Sequence, residues 1–170
     1  AVGVVDTSNG WPKFVRSDSP VRLEGKDYIF PSNPNFETAF VTVLRLLLFS
    51  KYFKNIDSVY EFGCGTGLNL VALAKLYPGK KLHGLDWAKA SIDILNNLKD
   101  YDFSIQGHLF DMFHPQENEL MVPLNSGFLT IGAMEQLGGD YGDFLDFMLS
   151  KRPSIVIHVE TMYELYDDNK

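Results

Sequence analysis

The sequence has one cysteine, no long uninterrupted apolar segment and fewer basic than acidic residues. One cysteine in 170 residues excludes an intramolecular disulfide framework and a multi-cysteine metal site. The 15 Lys and Arg against 22 Asp and Glu give a formal net charge of −7, which argues against nonspecific binding to nucleic acid or an anionic membrane. We therefore expect a small-molecule or protein substrate, no nucleic-acid or membrane partner, and a cytoplasmic location. A homodimer stays open.

The longest apolar segment, residues 40–49, is interrupted by Thr42 and Arg45. It is shorter than the roughly 20 residues that a membrane-spanning helix needs. From Asn35 onward, apolar residues recur at helical spacing, which predicts a helix packed on a sheet. The residues of this stripe are Phe36, Phe40, Val43, Leu44, Leu47 and Leu48.

An apolar segment runs directly into a glycine-rich turn at residues 58–67, Ser-Val-Tyr-Glu-Phe-Gly-Cys-Gly-Thr-Gly. Glycines at 63, 65 and 67 let backbone N–H groups approach a ligand, and the N-terminus of the next helix adds positive charge. A second predicted strand, residues 81–86, ends at Asp86, where a carboxylate can bind ribose hydroxyls. The two features together predict a nucleotide-cofactor site, although a glycine turn kept only for packing is an alternative.

The spacing of the glycines distinguishes between nucleotide cofactors. A dinucleotide fingerprint needs a glycine three positions after the second one, and that position is Leu68. Glu61, two residues before the first glycine, would repel a diphosphate but suit a cationic ligand. A nicotinamide cofactor is therefore disfavoured.

These residues, with the segment 107–112, resemble the cofactor motifs of class I S-adenosylmethionine-dependent methyltransferases. The resemblance implies S-adenosyl-L-methionine as cofactor and S-adenosyl-L-homocysteine as product. Glu61 and the turn would face the methionine part, Asp86 the ribose and Trp87 the adenine, while Asp111 and the backbone of Met112 would bind the adenine edge. The implied cofactor-binding residues are Glu61, Gly63, Cys64, Gly65, Gly67, Asp86, Trp87, Asp111 and Met112.

Strand and helix signals alternate along the chain, which predicts a doubly wound, mainly parallel α/β sheet of the Rossmann-like type. Further strands are predicted at 103–106, 127–132 and 153–160, giving five. The resembling family usually has seven, so we expect either a fragment or a shortened variant whose sheet edge is covered by a partner. We divide the chain into an irregular N-terminal arm, residues 1–34, and a C-terminally incomplete cofactor-binding domain, residues 35–170.

Ligands of open parallel sheets lie beyond the carboxyl ends of the strands, which points to residues after the fourth and fifth strands. Glu135 and Glu160 are candidate catalytic carboxylates, with a solvated rim as the alternative. His158 lies two residues before Glu160, on the same side of the strand, and is a candidate base or a hydrogen-bonded core histidine. Gln136 is a candidate substrate ligand, and Tyr28 and Asn33 are candidates for a lid over the substrate. No metal site is predicted.

The segments 130–136 and 158–160 resemble bacterial methyltransferases proposed to act on sugars or other polar metabolites. This resemblance implies methyl transfer to a small polar metabolite, with oxygen as the favoured acceptor atom. Two other functions stay open: a noncatalytic binding or interaction module with the same fold, and a nicotinamide oxidoreductase.

Overall fold

A computed structural model describes residues 19–23, 27–98, 103–117 and 119–161 of the chain. Two short strands, β1 (Val21–Leu23) and β2 (Asp27–Ile29), pair antiparallel in a small separate sheet. The main sheet contains β3 (Ser58–Phe62), β4 (Lys81–Asp86), β5 (Ile105–Leu109), β6 (Ser126–Ile131) and β7 (Ile155–Val159). The helices are α1 (Phe36–Tyr52), α2 (Leu68–Leu76), α3 (Lys89–Asn97) and α4 (Gly142–Lys151).

The main sheet has the strand order β5-β4-β3-β6-β7, and every neighbouring pair is parallel. Within this sheet, the first strand along the chain is the central strand β3. The chain then runs outward through β4 to β5, and continues on the other side of β3 with β6 and β7. The strand order therefore reverses between β3 and β6, and open parallel sheets bind ligands beyond the carboxyl ends of the strands at such a point. The predicted doubly wound α/β fold is confirmed.

Each face of the sheet has its own apolar core. On one face, Phe49 of α1, Leu70 of α2 and Leu95 of α3 pack on β3 and β4. On the other face, buried aromatic rings of the strands pack against Phe144 and Phe147 of α4. Both faces of β3 are covered, which explains why all five of its residues, Glu61 included, are buried.

The apolar stripe predicted for α1 does not all face the sheet. Phe40, Val43 and Leu47 are 56%, 57% and 61% exposed, whereas Phe49 is buried. The charged residue Arg45 is buried as well. The stripe prediction is therefore wrong for the outer residues, because α1 carries more apolar residues than its sheet-facing side can cover.

The N-terminal arm and the third strand of the sheet differ from the sequence-based expectations. Residues 1–18 of the predicted irregular arm lie outside the described residues, but the arm also contains β1 and β2, so the expectation of irregular structure is wrong there. The third strand of the sheet was expected at 103–106 and lies at Ile105–Leu109. Its interior Gly107 allows close contact with Ile92 of α3, which a side chain at that position would hinder.

A pair of histidines links β4 and β5. Nδ1 of His83 lies 3.0 Å from Nε2 of His108, and the ring of His83 stacks on that of Tyr60 with 4.2 Å between centroids. Burial lowers the pKa of His83 to about 4, with repulsion from His108 and Lys81 contributing. Burial also lowers the pKa of His108. The fold therefore holds both imidazoles in their neutral form at pH 7.

This pair predicts that acid weakens the fold. Between the ordinary histidine pKa of 6.5 and about 4, the unfolded chain binds a proton at residue 83 that the folded chain does not, so stability falls as the pH falls. In His83→Phe, which keeps an aromatic ring against Tyr60, the unfolding free energy should depend less steeply on pH over this range. Denaturant unfolding at a series of pH values measures it.

His114→Gln is the control for this experiment. His114 is exposed, and its hydrogen bond with Asp111 raises its pKa, so its removal should not make the dependence shallower. Identical slopes in the wild type and His83→Phe would contradict the prediction.

Candidate cofactor and acceptor site

The glycine turn, residues 63–67, joins β3 to α2 at the point where the strand order reverses. Gly63, Gly65 and Gly67 all have positive φ, at 69°, 51° and 76°, which residues with a Cβ rarely adopt. The N–H groups of Gly63 and Cys64 donate to the carbonyl of Leu85, at 2.8 and 3.1 Å. These bonds hold the turn against the end of β4.

The three glycines meet different surroundings. A Cβ at Gly63 would overlap the Cβ of Ala133, and one at Gly67 would overlap the side chain of Leu95. A Cβ at Gly65 would meet no atom within 4 Å. Gly63 and Gly67 therefore serve close packing, and Gly65 is where the turn has open space for a ligand.

Cys64 fills space behind this turn. It is buried, and its sulfur lies 2.9 Å from the position that a Cβ of Gly84 would take. Burial raises the pKa of the thiol, with the charges of Glu61 and Asp86 acting in the same direction. The side chain is thus an uncharged packing group.

Asp86, at the end of β4, is buried beside the turn. Its Oδ2 accepts a hydrogen bond from the N–H of Gly65 at 2.8 Å, and its Oδ1 accepts one from the N–H of Ala88 at 2.9 Å. The carboxylate therefore fixes the shape of the turn. Each oxygen retains a further lone pair, so a ribose hydroxyl could still donate to it.

Glu61 is the buried acid at the centre of the site, in the middle strand of the sheet. Its Oε1 accepts a hydrogen bond from Nδ2 of Asn69 at 2.6 Å. Its Oε2 is buried and has no hydrogen-bond partner in the described structure. A buried oxygen without a partner costs free energy, which a donor on a bound ligand would recover.

The protonation of Glu61 is strongly shifted by its surroundings. Burial raises its pKa to about 8, against the opposing hydrogen bond from Asn69 and the charge of Arg45, and Asp86 raises it further. At pH 7 the acid form of the side chain thus predominates. A cationic ligand next to Oε2 would favour the carboxylate.

The residues implied to bind adenine lie at the ends of β4 and β5. Trp87 is 72% exposed and offers a free ring face. Met112 is half-buried, and its Cε lies 3.7 Å from the position of a Cβ on Gly63. Asp111 accepts a hydrogen bond from the N–H of Phe113 at 2.8 Å and lies 3.0 Å from the ring of His114. The hydrogen bond with His114 is the main cause that lowers the pKa of Asp111, and it favours the carboxylate form of this side chain.

The residues predicted to bind the acceptor lie at and after the ends of β6 and β7. The N–H of Ala133 donates to Oε2 of Glu160 at 2.9 Å, and the N–H of Gly132 donates to the carbonyl of Val159 at 2.9 Å. Ala133 in turn packs on Gly63. Glu160 is therefore tied to the glycine turn through one residue, and its Oε1 is buried without a hydrogen-bond partner in the described structure.

The other predicted acceptor-side residues have different environments. Glu135 and Gln136 lie exposed on a short 3-10 helix, Met134–Leu137. His158 is also exposed, and its Nδ1 lies 2.7 Å from Oγ1 of the buried Thr130. The partner that the structure shows for the His158 ring is thus Thr130, whereas Glu160 binds the backbone of Ala133.

The two predicted lid residues have local contacts. The guanidinium of Arg22 lies 5.2 Å from the ring centre of Tyr28, a cation–π contact. Oδ1 of Asn33 accepts a hydrogen bond from the N–H of Asn35, and its carbonyl accepts one from the N–H of Phe36. Asn33 therefore orders the start of α1, and a role in substrate binding stays a prediction for both residues.

Sequence reasoning missed two residues of the site, Arg45 and Asn69. Nη1 of Arg45 donates to Oδ1 of Asn69 at 3.2 Å, and Asn69 donates to Glu61, so the three side chains form a chain from α1 through α2 to β3. The available signal was a charged residue inside the apolar stripe of α1. Its partner could not be read from the sequence.

The described parts of the chain contain no group of three or more His, Cys, Asp or Glu side chains placed to bind a metal ion. None of the helices described there has the length and apolar character to cross a membrane.

Solved methyltransferases share this fold. The plantazolicin methyltransferase BpumL, in complex with a triazolic desmethylPZN analog and SAH, aligns with 71% of the chain at 17% identity and a TM-score of 0.53, using 46% of its own length. The O-methyltransferase of a trans-AT PKS multienzyme of Brevibacillus brevis, with S-adenosyl-L-homocysteine, aligns with 69% at 19% identity and a TM-score of 0.53, using 40% of its length.

Coclaurine N-methyltransferase, bound to N-methylheliamine and SAH, aligns with 69% of the chain at 18% identity and a TM-score of 0.53, using 33% of its length. The chain therefore spans less than half the length of each of these three proteins. No protein-family model matches the sequence, and no curated protein does. At this identity the likeness shows the fold.

The burial of Glu61 predicts a pH dependence of stability with a sign opposite to that of His83. Between its ordinary pKa of 4.5 and about 8, the folded chain retains a proton at Glu61 that the unfolded chain has lost, so this residue's contribution to stability falls as the pH rises. Relative to Glu61→Gln, the wild type should lose unfolding free energy from pH 4.5 to 8. Chemical denaturation of both proteins measures the difference, and a difference independent of pH would disprove it.

Proposed function

We propose that this chain binds S-adenosyl-L-methionine and catalyses methyl transfer to a small polar metabolite, with an oxygen atom as the favoured acceptor. Two observations carry the proposal: Oε2 of Glu61 is buried without a hydrogen-bond partner in the described structure, and the glycine turn that follows this strand has open space at Gly65. A cationic amino-acid group fits this arrangement, because it supplies a donor to the orphan oxygen and opposite charge to the carboxylate.

The chain offers a matching group for each part of the cofactor. Glu61 and the backbone at Gly65 would hold the methionine end, Asp86 the ribose hydroxyls and the exposed ring of Trp87 the adenine. When bound, the cofactor supplies a methyl group already activated by a sulfonium. The protein then has to align the acceptor and take up its proton.

Glu160 and Glu135 are the proposed groups on the acceptor side. Glu160 lies at the end of β7 with one oxygen on Ala133 and the other buried without a partner in the described structure, so an acceptor hydroxyl could donate to it. Glu135 and Gln136 are exposed after β6 and can bind polar groups of an acceptor. His158, held by Thr130, is a second candidate base.

The comparisons support this proposal through the fold and through what the similar proteins are named for. BpumL, the Brevibacillus brevis O-methyltransferase and coclaurine N-methyltransferase are all methyltransferases, each with SAH bound. The other molecules named with BpumL and with coclaurine N-methyltransferase differ from each other. The comparisons therefore support the methyl donor and do not favour a particular acceptor. A cytoplasmic location and a homodimer stay predictions.

A noncatalytic binding module is the second candidate function. It would bind the cofactor through the same residues, Glu61, Gly65 and Asp86, without transferring the methyl group. A nicotinamide oxidoreductase is disfavoured, because Leu68 occupies the position where a dinucleotide fingerprint needs a glycine.

Ligand titrations test the cofactor. Wild-type protein should bind S-adenosyl-L-homocysteine and S-adenosyl-L-methionine and should not bind NAD. Gly65→Val should abolish binding, since its side chain fills the open space at the turn. Gly79→Val is the matched control, because Gly79 also has positive φ and open surroundings but lies in the turn before β4, at the opposite end of the sheet. Isothermal calorimetry measures all of these, and equal losses in both variants would contradict the site.

A transfer assay tests the acceptor side. With methyl-labelled S-adenosyl-L-methionine and a panel of polyhydroxylated small molecules, Glu160→Gln should lower kcat by about 10²-fold or more if Glu160 is the base. Glutamine can still accept the Ala133 N–H, so the loop stays in place. Asp140→Asn, an exposed acid of the same loop region, is the control. Cofactor binding without label transfer to any acceptor would favour the noncatalytic module.

A further inference from the structure

The chain Arg45–Asn69–Glu61 runs from α1 to the proposed cofactor site. Each of its two hydrogen bonds joins different elements: Arg45 to Asn69 at 3.2 Å between α1 and α2, and Asn69 to Glu61 at 2.6 Å between α2 and β3. Arg45 and Glu61 are buried, 7% and 1% exposed. The same helix buries a charged residue and leaves several apolar residues in water. Burying an apolar residue and exposing the charged one would be more stable, so the burial of Arg45 requires a reason.

The chemistry of arginine fixes the orientation of the asparagine amide. A guanidinium has only donors, so the amide oxygen of Asn69 must face Arg45. The amide nitrogen then faces Glu61 and donates to Oε1. Without the guanidinium the amide could rotate and let its oxygen accept a hydrogen bond from Glu61 in its acid form, which the raised pKa of Glu61 favours.

The same bond determines which oxygen of Glu61 is left over. Because Asn69 occupies Oε1, Oε2 is the atom without a partner in the described structure. We propose that Arg45 and Asn69 are positioning residues: Arg45 orients the Asn69 amide, and the amide holds Glu61 so that Oε2 receives the ammonium group of the cofactor. This inference rests on the proposed function.

Arg45 and Asn69 also affect the pKa of Glu61. The charged or titratable groups that act on it are Arg45 from α1 and Asp86 from the end of β4. Arg45 and the Asn69 donor both lower the pKa of Glu61, against burial and Asp86. Loss of either should therefore raise this pKa further, so that less carboxylate is present at neutral pH.

Paired ligands separate this role from general support of the fold. S-adenosyl-L-homocysteine carries the ammonium group, whereas 5′-methylthioadenosine shares the adenosine and the sulfur but lacks the amino-acid end. In Arg45→Met and Asn69→Leu, the affinity for S-adenosyl-L-homocysteine should fall about tenfold or more. The affinity for 5′-methylthioadenosine should stay within about twofold of wild type.

Two further variants complete the design. Arg45→Lys keeps a donor for Oδ1 of Asn69 and should recover part of the lost affinity. Lys75→Met removes a positive charge from α2, in the groove between α1 and α2 that Arg45 also lines, and should leave both affinities unchanged. Arg45→Met keeps the apolar stem in that groove, so it should fold.

A carboxyl titration of Glu61 by nuclear magnetic resonance, without ligand, gives an independent measurement. The titration midpoint should lie at about 8 in the wild type and move upward in Arg45→Met and Asn69→Leu. Three results would each overturn the positioning role of Arg45 and Asn69 alone. They are an equal loss of affinity for both ligands, an unchanged affinity for both ligands, and an unchanged titration midpoint of Glu61. Failure of the wild type to bind S-adenosyl-L-homocysteine would instead overturn the proposed function, and this inference with it.

Discussion

A carboxyl group at the centre of a parallel sheet is the constraint around which this fold is arranged. Glu61 lies in β3, with strands on both sides and helices on both faces, where a charge is costly. Asn69 and Arg45 partly offset that cost from α2 and α1, and Asp86 on the next strand increases it. One oxygen of Glu61 is left without a hydrogen-bond partner in the described structure, and the proposed function assigns this oxygen to a bound ligand.

The sheet and the position of the turn could be predicted because their signals are local. An apolar strand followed by glycines is contained in ten consecutive residues, and the alternation of strands and helices sets the topology. The roles of the three glycines could not be separated in advance. They depend on Ala133 and Leu95, which are distant in sequence from the turn.

The parts that sequence reasoning missed depend on contacts between distant elements. Arg45, Asn69 and Glu61 lie on three elements, and nothing in a single segment shows that their side chains meet. The faces of α1 were misassigned for the same reason, because helical spacing gives a stripe but does not say which side the sheet will cover. The contact of His158 with Thr130 needed the pairing of β6 with β7.

The contact between Gly63 and Ala133 limits how the acceptor side can diverge among related sequences. The glycine turn and the loop after β6 are packed directly against each other there. A larger side chain at either residue would displace the other segment. Under the proposed function, new acceptor preferences would arise at Glu135 and Gln136, which are exposed. Evolution of specificity should thus proceed around this contact, with the pair itself kept small.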